Sequence, residues 1–84
     1  MSDETIAARI ERLVQEEHAL RAREEHDSTD ADALEADRER LHQVSVELDQ
    51  CWDLLRQRRA LRSAGGDPDD ASVRDETTVE GYRQ

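Results

Sequence analysis

The sequence predicts an all-α protein: an antiparallel two-helix hairpin of the coiled-coil type, followed by an irregular C-terminal tail and dimerising into a four-helix arrangement. Two observations predict this fold. Apolar residues recur at helical spacing in two segments on either side of a short polar break, and leucines recur every seven residues in the second segment. The predicted hairpin covers residues 1–62, and the predicted tail covers residues 63–84.

The first helix is predicted over residues 3–25. Its apolar residues are spaced so that they lie on one face of a helix. They are Ile6, Ile10, Leu13, Val14 and Leu20. Asp3 suits the positive N-terminal end of the helix dipole. Glu17 falls on the apolar face, where a hydrophobic residue would be expected, and we expect it to pair with Arg21 or with an arginine of the opposing helix.

The second helix is predicted over residues 30–62, after the polar stretch 26–30. Asp, Ser and Thr in that stretch compete with a helix for backbone hydrogen bonds, and a short link of this kind joins antiparallel neighbours. The second helix carries a heptad seam, interrupted near its ends by Asp37 and Arg58. The seam leucines are Leu34, Leu41, Leu48 and Leu55. Gly65 and Gly66, followed by Pro68, end the helix.

The tail has an acidic composition that is typical of disorder, but Val79 and Tyr82 are suited to docking on another surface. If the chain reverses near Ser28, Glu4 lies opposite Trp52, and the end of the second helix extends beyond the first. We therefore expect the run from Val79 to Tyr82 to pack on the C-terminal half of the second helix, in the same chain or its dimer mate, and a second subunit to cover the rest. The predicted interface residues are Leu34, Leu41, Leu48, Cys51, Trp52, Leu55 and Tyr82, and the apolar residues of the overhang are Leu54, Leu55 and Leu61.

Length and charge exclude several classes of protein. The chain has 84 residues, of which 22 are acidic and 12 are basic, with a net charge of −10. It is too short for a conventional enzyme core with a deep pocket, and its charge disfavours binding to a nucleic-acid backbone. It has no apolar run of membrane-spanning length, and its one cysteine fits a reducing cytoplasm. All its basic residues are arginines, which fits a GC-rich genome.

A candidate metal motif is Glu39-x-x-His42, the helical element that carboxylate di-iron bundles use. Glu17 is a further candidate ligand from the first helix. With Leu41 facing the core, however, Glu39 lies about 200° and His42 about 100° around the helix from it, so these ligands would not converge. The sequence therefore predicts no metal and no cofactor, and a solvated face at these residues.

Cys51 and Trp52 are adjacent, and Cys51 has two interpretations. Arginines within two turns of Cys51 would favour a reactive thiol, but its place on the seam favours a small hydrophobic core residue. Trp52 is predicted to anchor a subunit interface, because a large aromatic on a narrow bundle buries much area there.

The basic patch over residues 56–62 could contact nucleic acid or an acidic partner, although the helix dipole and the acidic tail explain it equally.

Three runs of the sequence carry a family resemblance. They are the run LDQCWDLLRQRR at 48–59, the opening pattern from Ile10 to Arg21 with its Glu-Glu-His, and VEGY at 79–82. In these runs the chain resembles the small actinobacterial proteins of domain-of-unknown-function family 2630. The resemblance implies a short, mostly helical cytoplasmic protein, and it supplies no catalytic residues. The match at 79–82 favours a C-terminal end that packs.

These observations predict a non-enzymatic protein-interaction or assembly module. It would act as a homodimer in the cytoplasm with an unknown protein partner, away from membranes and nucleic acid. The alternative from a different class is a metal- or redox-linked helical bundle that uses Glu39 and His42, or Cys51. A third hypothesis is an acidic decoy for a DNA-binding protein.

Overall fold

The computed structural model describes residues 1–26 and 30–79, except for the side chains of residues 25 and 26, and these residues form an all-helical protein. Two long helices, α1 (Asp3–His26) and α2 (Ala31–Ser63), are followed by a 3-10 turn (Pro68–Asp70) and a single-turn helix, α3 (Glu76–Val79). α1 packs antiparallel to α2, and the tail then returns along another side of α2. The prediction of two long helices with a short tail is confirmed, with bounds within one residue of those expected.

Local capping explains where α2 begins and where the chain turns back. The Asp30 side chain accepts a hydrogen bond from the Ala33 backbone N–H at 3.1 Å, which satisfies a free amide of the first turn. At the other end, Gly65 has a φ of +78°, and the Gly66 N–H donates to the Leu61 carbonyl at 2.8 Å. This is a Schellman ending, for which glycine is the favoured residue. It directs the tail back along α2.

The core lies between the two long helices and is formed by small and medium-sized apolar side chains. Its buried members are Ile6, Ile10, Leu13 and Leu20 from α1 and Val44, Leu48, Cys51 and Leu54 from α2. Of the four seam leucines, Leu48 alone is fully enclosed, with no exposed fraction. Leu41 and Leu55 pack against the core with part of their surface exposed.

The register of the hairpin differs from the one expected from length alone. Asp3 contacts Arg58 and Arg62. Arg58 lies about one and a half turns beyond Trp52, which is the residue that was expected to lie opposite Glu4. Arg23 pairs with Asp37, so the chain reverses about residue 30 rather than residue 28. When the point of reversal moves by one residue along the chain, the α2 residue that lies opposite a given α1 residue moves by two. α1 therefore covers more of α2.

The shorter overhang corrects the expectation for the end of α2. Leu54 belongs to the core, and Leu55 packs against it. Leu61 is half-buried and lies against Gly66, where an added Cβ would be 3.4 Å from its side chain. These leucines therefore have partners within one chain, and an uncovered overhang no longer argues for a dimer.

The two residues that interrupt the seam are buried and form ion pairs. Asp37, 6% exposed, accepts hydrogen bonds from Arg23 of α1, and Arg58, 8% exposed, donates to Asp3 and to Asp69, the latter at 2.9 Å. Each pair joins different parts of the chain at one end of the hairpin. A buried charge is costly unless it is paired, so these residues favour this register over others.

Two glutamates at the middle of α1 have different partners. Glu16 accepts hydrogen bonds from Arg40 of α2 at 2.6 and 2.8 Å. Glu17, 6% exposed, lies 3.8 Å from Arg21 of its own helix, which is one of its two expected partners. The opposing arginine therefore pairs with the neighbouring glutamate, Glu16.

The ion pairs predict a loss of stability in acid. The hydrogen bond from Arg58 lowers the pKa of Asp3 and of Asp69 below the usual 3.8, and that from Arg40 lowers the pKa of Glu16 below the usual 4.5. A carboxylate with a lowered folded-state pKa stabilises the fold above its unfolded pKa, and this contribution is lost as the pH falls through the folded value. We expect a free energy of unfolding that is insensitive to these groups above about pH 5.5 and falls steadily below about pH 4.5. Urea unfolding followed by circular dichroism between pH 3 and pH 7 measures it; a rise in stability on acidification would contradict these pairings.

The described part of the tail packs on α2. Ala71 packs against the core, and Val79 has no exposed surface. Glu76 reaches His42 in the first half of α2, at 3.0 Å. Of the segment expected to dock, Val79 is buried, but α3 reaches the first half of α2, where Glu76 contacts His42, and not the C-terminal half where docking was expected. Residues 80–82 of that segment, including Tyr82, lie outside the described residues.

Candidate functional site

One side of the hairpin carries partly exposed apolar residues, which we call the Trp52 face. It comprises Val14 of α1 with Leu34, Leu41, Trp52 and Leu55 of α2. Trp52 is 45% exposed, a large fraction for a tryptophan on a helix that packs on two sides. The others are half-buried, and three of them rest on the core beneath. The helical spacing places the four α2 residues on the side of α2 away from the tail.

The opposite side of α2 holds the tail through a polar cluster, which we call the tail clasp. It comprises Gln50, Asp53 and Gln57 of α2 with Ser72 and Arg74 of the tail. Arg74 donates two hydrogen bonds to the Asp53 carboxylate, at 2.8 and 2.7 Å, and the Asp53 side chain is fully buried. The Gln57 amide nitrogen donates to Asp53 at 2.7 Å.

The glutamines of the clasp bind the tail backbone. Gln57 donates to the Ser72 carbonyl at 2.7 Å and accepts from the Ser72 N–H at 3.3 Å, while Gln50 donates to the Arg74 carbonyl at 3.1 Å. This cluster was not predicted from the sequence. Two signals were available: three polar residues three and four apart on one helix face, and an arginine within an acidic tail.

Cys51 occupies a core position, as its place on the seam indicated. It is 3% exposed, and burial raises the pKa of its thiol above the usual 9.0, although Arg9 acts in the opposite direction. A raised pKa leaves less thiolate at neutral pH, and the thiolate is the nucleophile. Arginines within two turns of Cys51 would favour a reactive thiol, but one of them, Arg58, pairs with Asp3 and Asp69.

We expect Cys51 to resist alkylation in the folded protein. Iodoacetamide at pH 8 should modify it about 100-fold more slowly than the same chain in denaturing urea, because burial limits both access and ionisation. Intact-mass spectrometry over time measures the rate, with the urea sample as the control. Equal rates in the two samples would mean that this part of the core opens freely.

The three candidate metal ligands are not brought together. Glu39 is exposed on α2, His42 contacts Glu76 of α3, and Glu17 is buried beside Arg21 on α1. Within residues 1–26 and 30–79, no group of three or more His, Cys, Asp or Glu side chains is arranged to hold a metal ion. Each candidate instead lies in an ion pair or on an exposed helix face.

The basic patch at the end of α2 is divided. Arg58 and Arg62 both bind Asp3, so they join the end of α2 to the start of α1. Arg56 and Arg59 have exposed side chains near Trp52, at its C-terminal side. Two arginines of the patch therefore serve contacts within the chain, and the other two border the Trp52 face.

Comparison with known protein families assigns the chain to one of them. The model of the family described as "Protein of unknown function (DUF2630)" matches residues 2–84. The chain belongs to the DUF2630 family. The resemblance found in the three sequence runs is thereby confirmed, and DUF2630 covers the hairpin and the tail together.

Similar proteins occur in mycobacteria. An uncharacterised protein of Mycobacterium bovis and two from strains of Mycobacterium tuberculosis are each 49% identical to this DUF2630 chain over 81 residues. Each alignment covers 96% of this chain and 90% of the relative. No solved structure matches the chain significantly. Across the described ranges, neither long helix combines the length and the hydrophobicity that crossing a membrane requires.

Proposed function

We propose that this DUF2630 protein is a non-enzymatic, cytoplasmic protein-interaction module, and that its Trp52 face docks on a second copy to form a four-helix homodimer. The observation that carries the proposal is the 45% exposure of Trp52 on a side that α1 and the described tail do not cover. A large aromatic surrounded by half-buried aliphatic residues is the composition of an interface core.

The docking surface is narrower than the set of interface residues expected from sequence. Leu48 and Cys51 are buried inside the hairpin, so they support the surface from beneath and add little contact area. Leu34, Leu41, Trp52 and Leu55 are available for contact, with Val14 of α1 beside them. The role of Tyr82 stays a prediction, because it lies outside the described residues.

Charge favours a second copy as the occupant. Asp3 contacts Arg58, so Glu4 and Arg59 lie within about 3 Å of the same height on neighbouring antiparallel helices, and both are exposed. A two-fold axis parallel to the helices would place α1 of one copy beside α2 of the other at equal height. Glu4 of each copy would then approach Arg59 of its partner, and the Trp52 faces would meet at the centre of the bundle.

Substitution of Trp52 by glutamate tests this proposal. We expect wild-type protein at tens of micromolar to sediment as a dimer, and Trp52→Glu to sediment as a folded monomer, because a buried glutamate without a partner is strongly unfavourable at an interface. Val73→Glu is the matched control, since Val73 is 59% exposed on the tail and lies off the Trp52 face. A wild-type monomer at 100 μM, or dissociation by Val73→Glu alone, would contradict the proposal.

A further inference from the structure

The tail clasp has the organisation of a peptide-binding site. Gln50, Asp53 and Gln57 are three and four residues apart, so they form one polar row on α2. An extended segment of the tail lies across this row and is bound at both its backbone and one side chain. This row lies on the opposite side of α2 from the Trp52 face and does not depend on self-association.

The arginine contact is specific for side-chain chemistry. The Asp53 carboxylate has no exposed surface and accepts two parallel hydrogen bonds from Arg74 and one from Gln57. A guanidinium matches a carboxylate with two donors in a fixed plane, whereas a lysine ammonium provides a single point charge. A fully buried carboxylate is unfavourable without such a partner, so the site requires a cation of this shape.

The remaining contacts are independent of the peptide's sequence. Gln57 binds both the N–H and the carbonyl of Ser72, and Gln50 binds the carbonyl of Arg74. The side chains of Ser72 and Val73 are exposed, so they place no constraint on what occupies those positions. The site therefore selects an extended backbone with an arginine two residues after the residue whose N–H and carbonyl bind Gln57.

We propose that Gln50, Asp53 and Gln57 form a recognition site for an extended, arginine-bearing peptide, and that the protein's own tail is its resident ligand. A partner protein with an arginine in an extended segment competes with the tail for this row. The tail remains attached through Gly65 and Gly66, so it rebinds at high effective concentration and limits access to ligands of sufficient affinity.

Binding of a peptide in trans tests the proposal with the full-length chain. The receptor is Arg74→Glu, in which a second negative charge opposite Asp53 should displace the resident tail. The probe is a fluorescently labelled peptide of residues 67–79 with its native arginine, measured by fluorescence anisotropy. We expect it to bind Arg74→Glu at least about 10-fold more tightly than wild-type protein, whose own tail occupies the site. We expect the peptide with lysine in place of arginine to bind about 10-fold more weakly.

Two controls keep the result interpretable. A peptide with alanine in place of arginine should bind neither protein, and Asp53→Asn combined with Arg74→Glu should lose the preference for the arginine peptide. Circular dichroism must report native helix content in every receptor, so that a failure to bind cannot be attributed to unfolding. Equal binding of the arginine and alanine peptides, or no binding of the arginine peptide to folded Arg74→Glu, would overturn the proposal.

Discussion

Replacing Arg74 by alanine is expected to lower the free energy of unfolding by about 3 kcal/mol. The reason is that Asp53 is fully buried and would lose both charge-assisted hydrogen bonds from Arg74, while it keeps the one from Gln57. Detachment of the tail, which would let water reach Asp53, sets an upper limit to this loss. Urea unfolding monitored by circular dichroism measures it.

Two comparisons separate the clasp from a general effect of removing a charge. Arg12→Ala is the matched control, because Arg12 is an exposed arginine of α1, outside the tail clasp and the proposed subunit contact, and should change stability by less than about 0.5 kcal/mol. The cycle of Arg74→Ala, Asp53→Asn and the double variant should give a coupling energy above about 1 kcal/mol. Additive effects would mean that the two side chains do not interact in solution.

Removing the chain from residue 79 onward is expected to lower the melting temperature by about 6–16 °C. Val79 is fully buried, with no exposed surface, and burying a valine contributes about 1.5–2 kcal/mol. In a domain of this size, each kcal/mol changes the melting temperature by about 4–8 °C. Thermal unfolding followed at 222 nm measures the change.

A chain that ends at Val79 is the matched control for this truncation. It differs from the shorter chain by one residue, so the difference between the two melting temperatures isolates the burial of Val79. If both truncated chains melt like the full-length protein, the burial of Val79 contributes nothing to stability.

The helices could be predicted from the sequence because their signals are local. The heptad leucines, the polar break and the paired glycines each act within a few residues, and α1 and α2 fall within one residue of the expected bounds. The register could not be predicted in the same way. It depends on where the chain reverses, and Arg23–Asp37 and Asp3–Arg58 are fixed by contacts far apart in sequence.

The polar side chains were the hardest to interpret from the sequence alone. Asp37 and Arg58 were identified as interruptions of an apolar seam, yet both are buried and paired across the fold. Asp53 was not singled out, because its partner Arg74 lies in a segment whose composition is typical of disorder. A buried charge can be recognised only once its partner is known.

The two sides of α2 serve different contacts in this account of the DUF2630 fold. One side holds the chain's own tail through the buried Asp53 and the half-buried glutamines of the clasp, which bind with defined geometry. The other presents Trp52 among aliphatic residues, which suits docking by shape and apolar area. Because the sides are separate, substitutions in the tail clasp should change stability and leave self-association intact as long as the hairpin stays folded.

Fluorescence of Trp52, the single tryptophan of the chain, tests the proposed interface most directly. Its emission and its quenching by acrylamide are measured on wild-type protein from tens of nanomolar to tens of micromolar. We predict a shift of the emission maximum to shorter wavelength and weaker quenching as concentration rises, because docking buries the indole that is 45% exposed in a single chain. Identical spectra and quenching at every concentration, with the protein folded throughout, would contradict self-association through the Trp52 face.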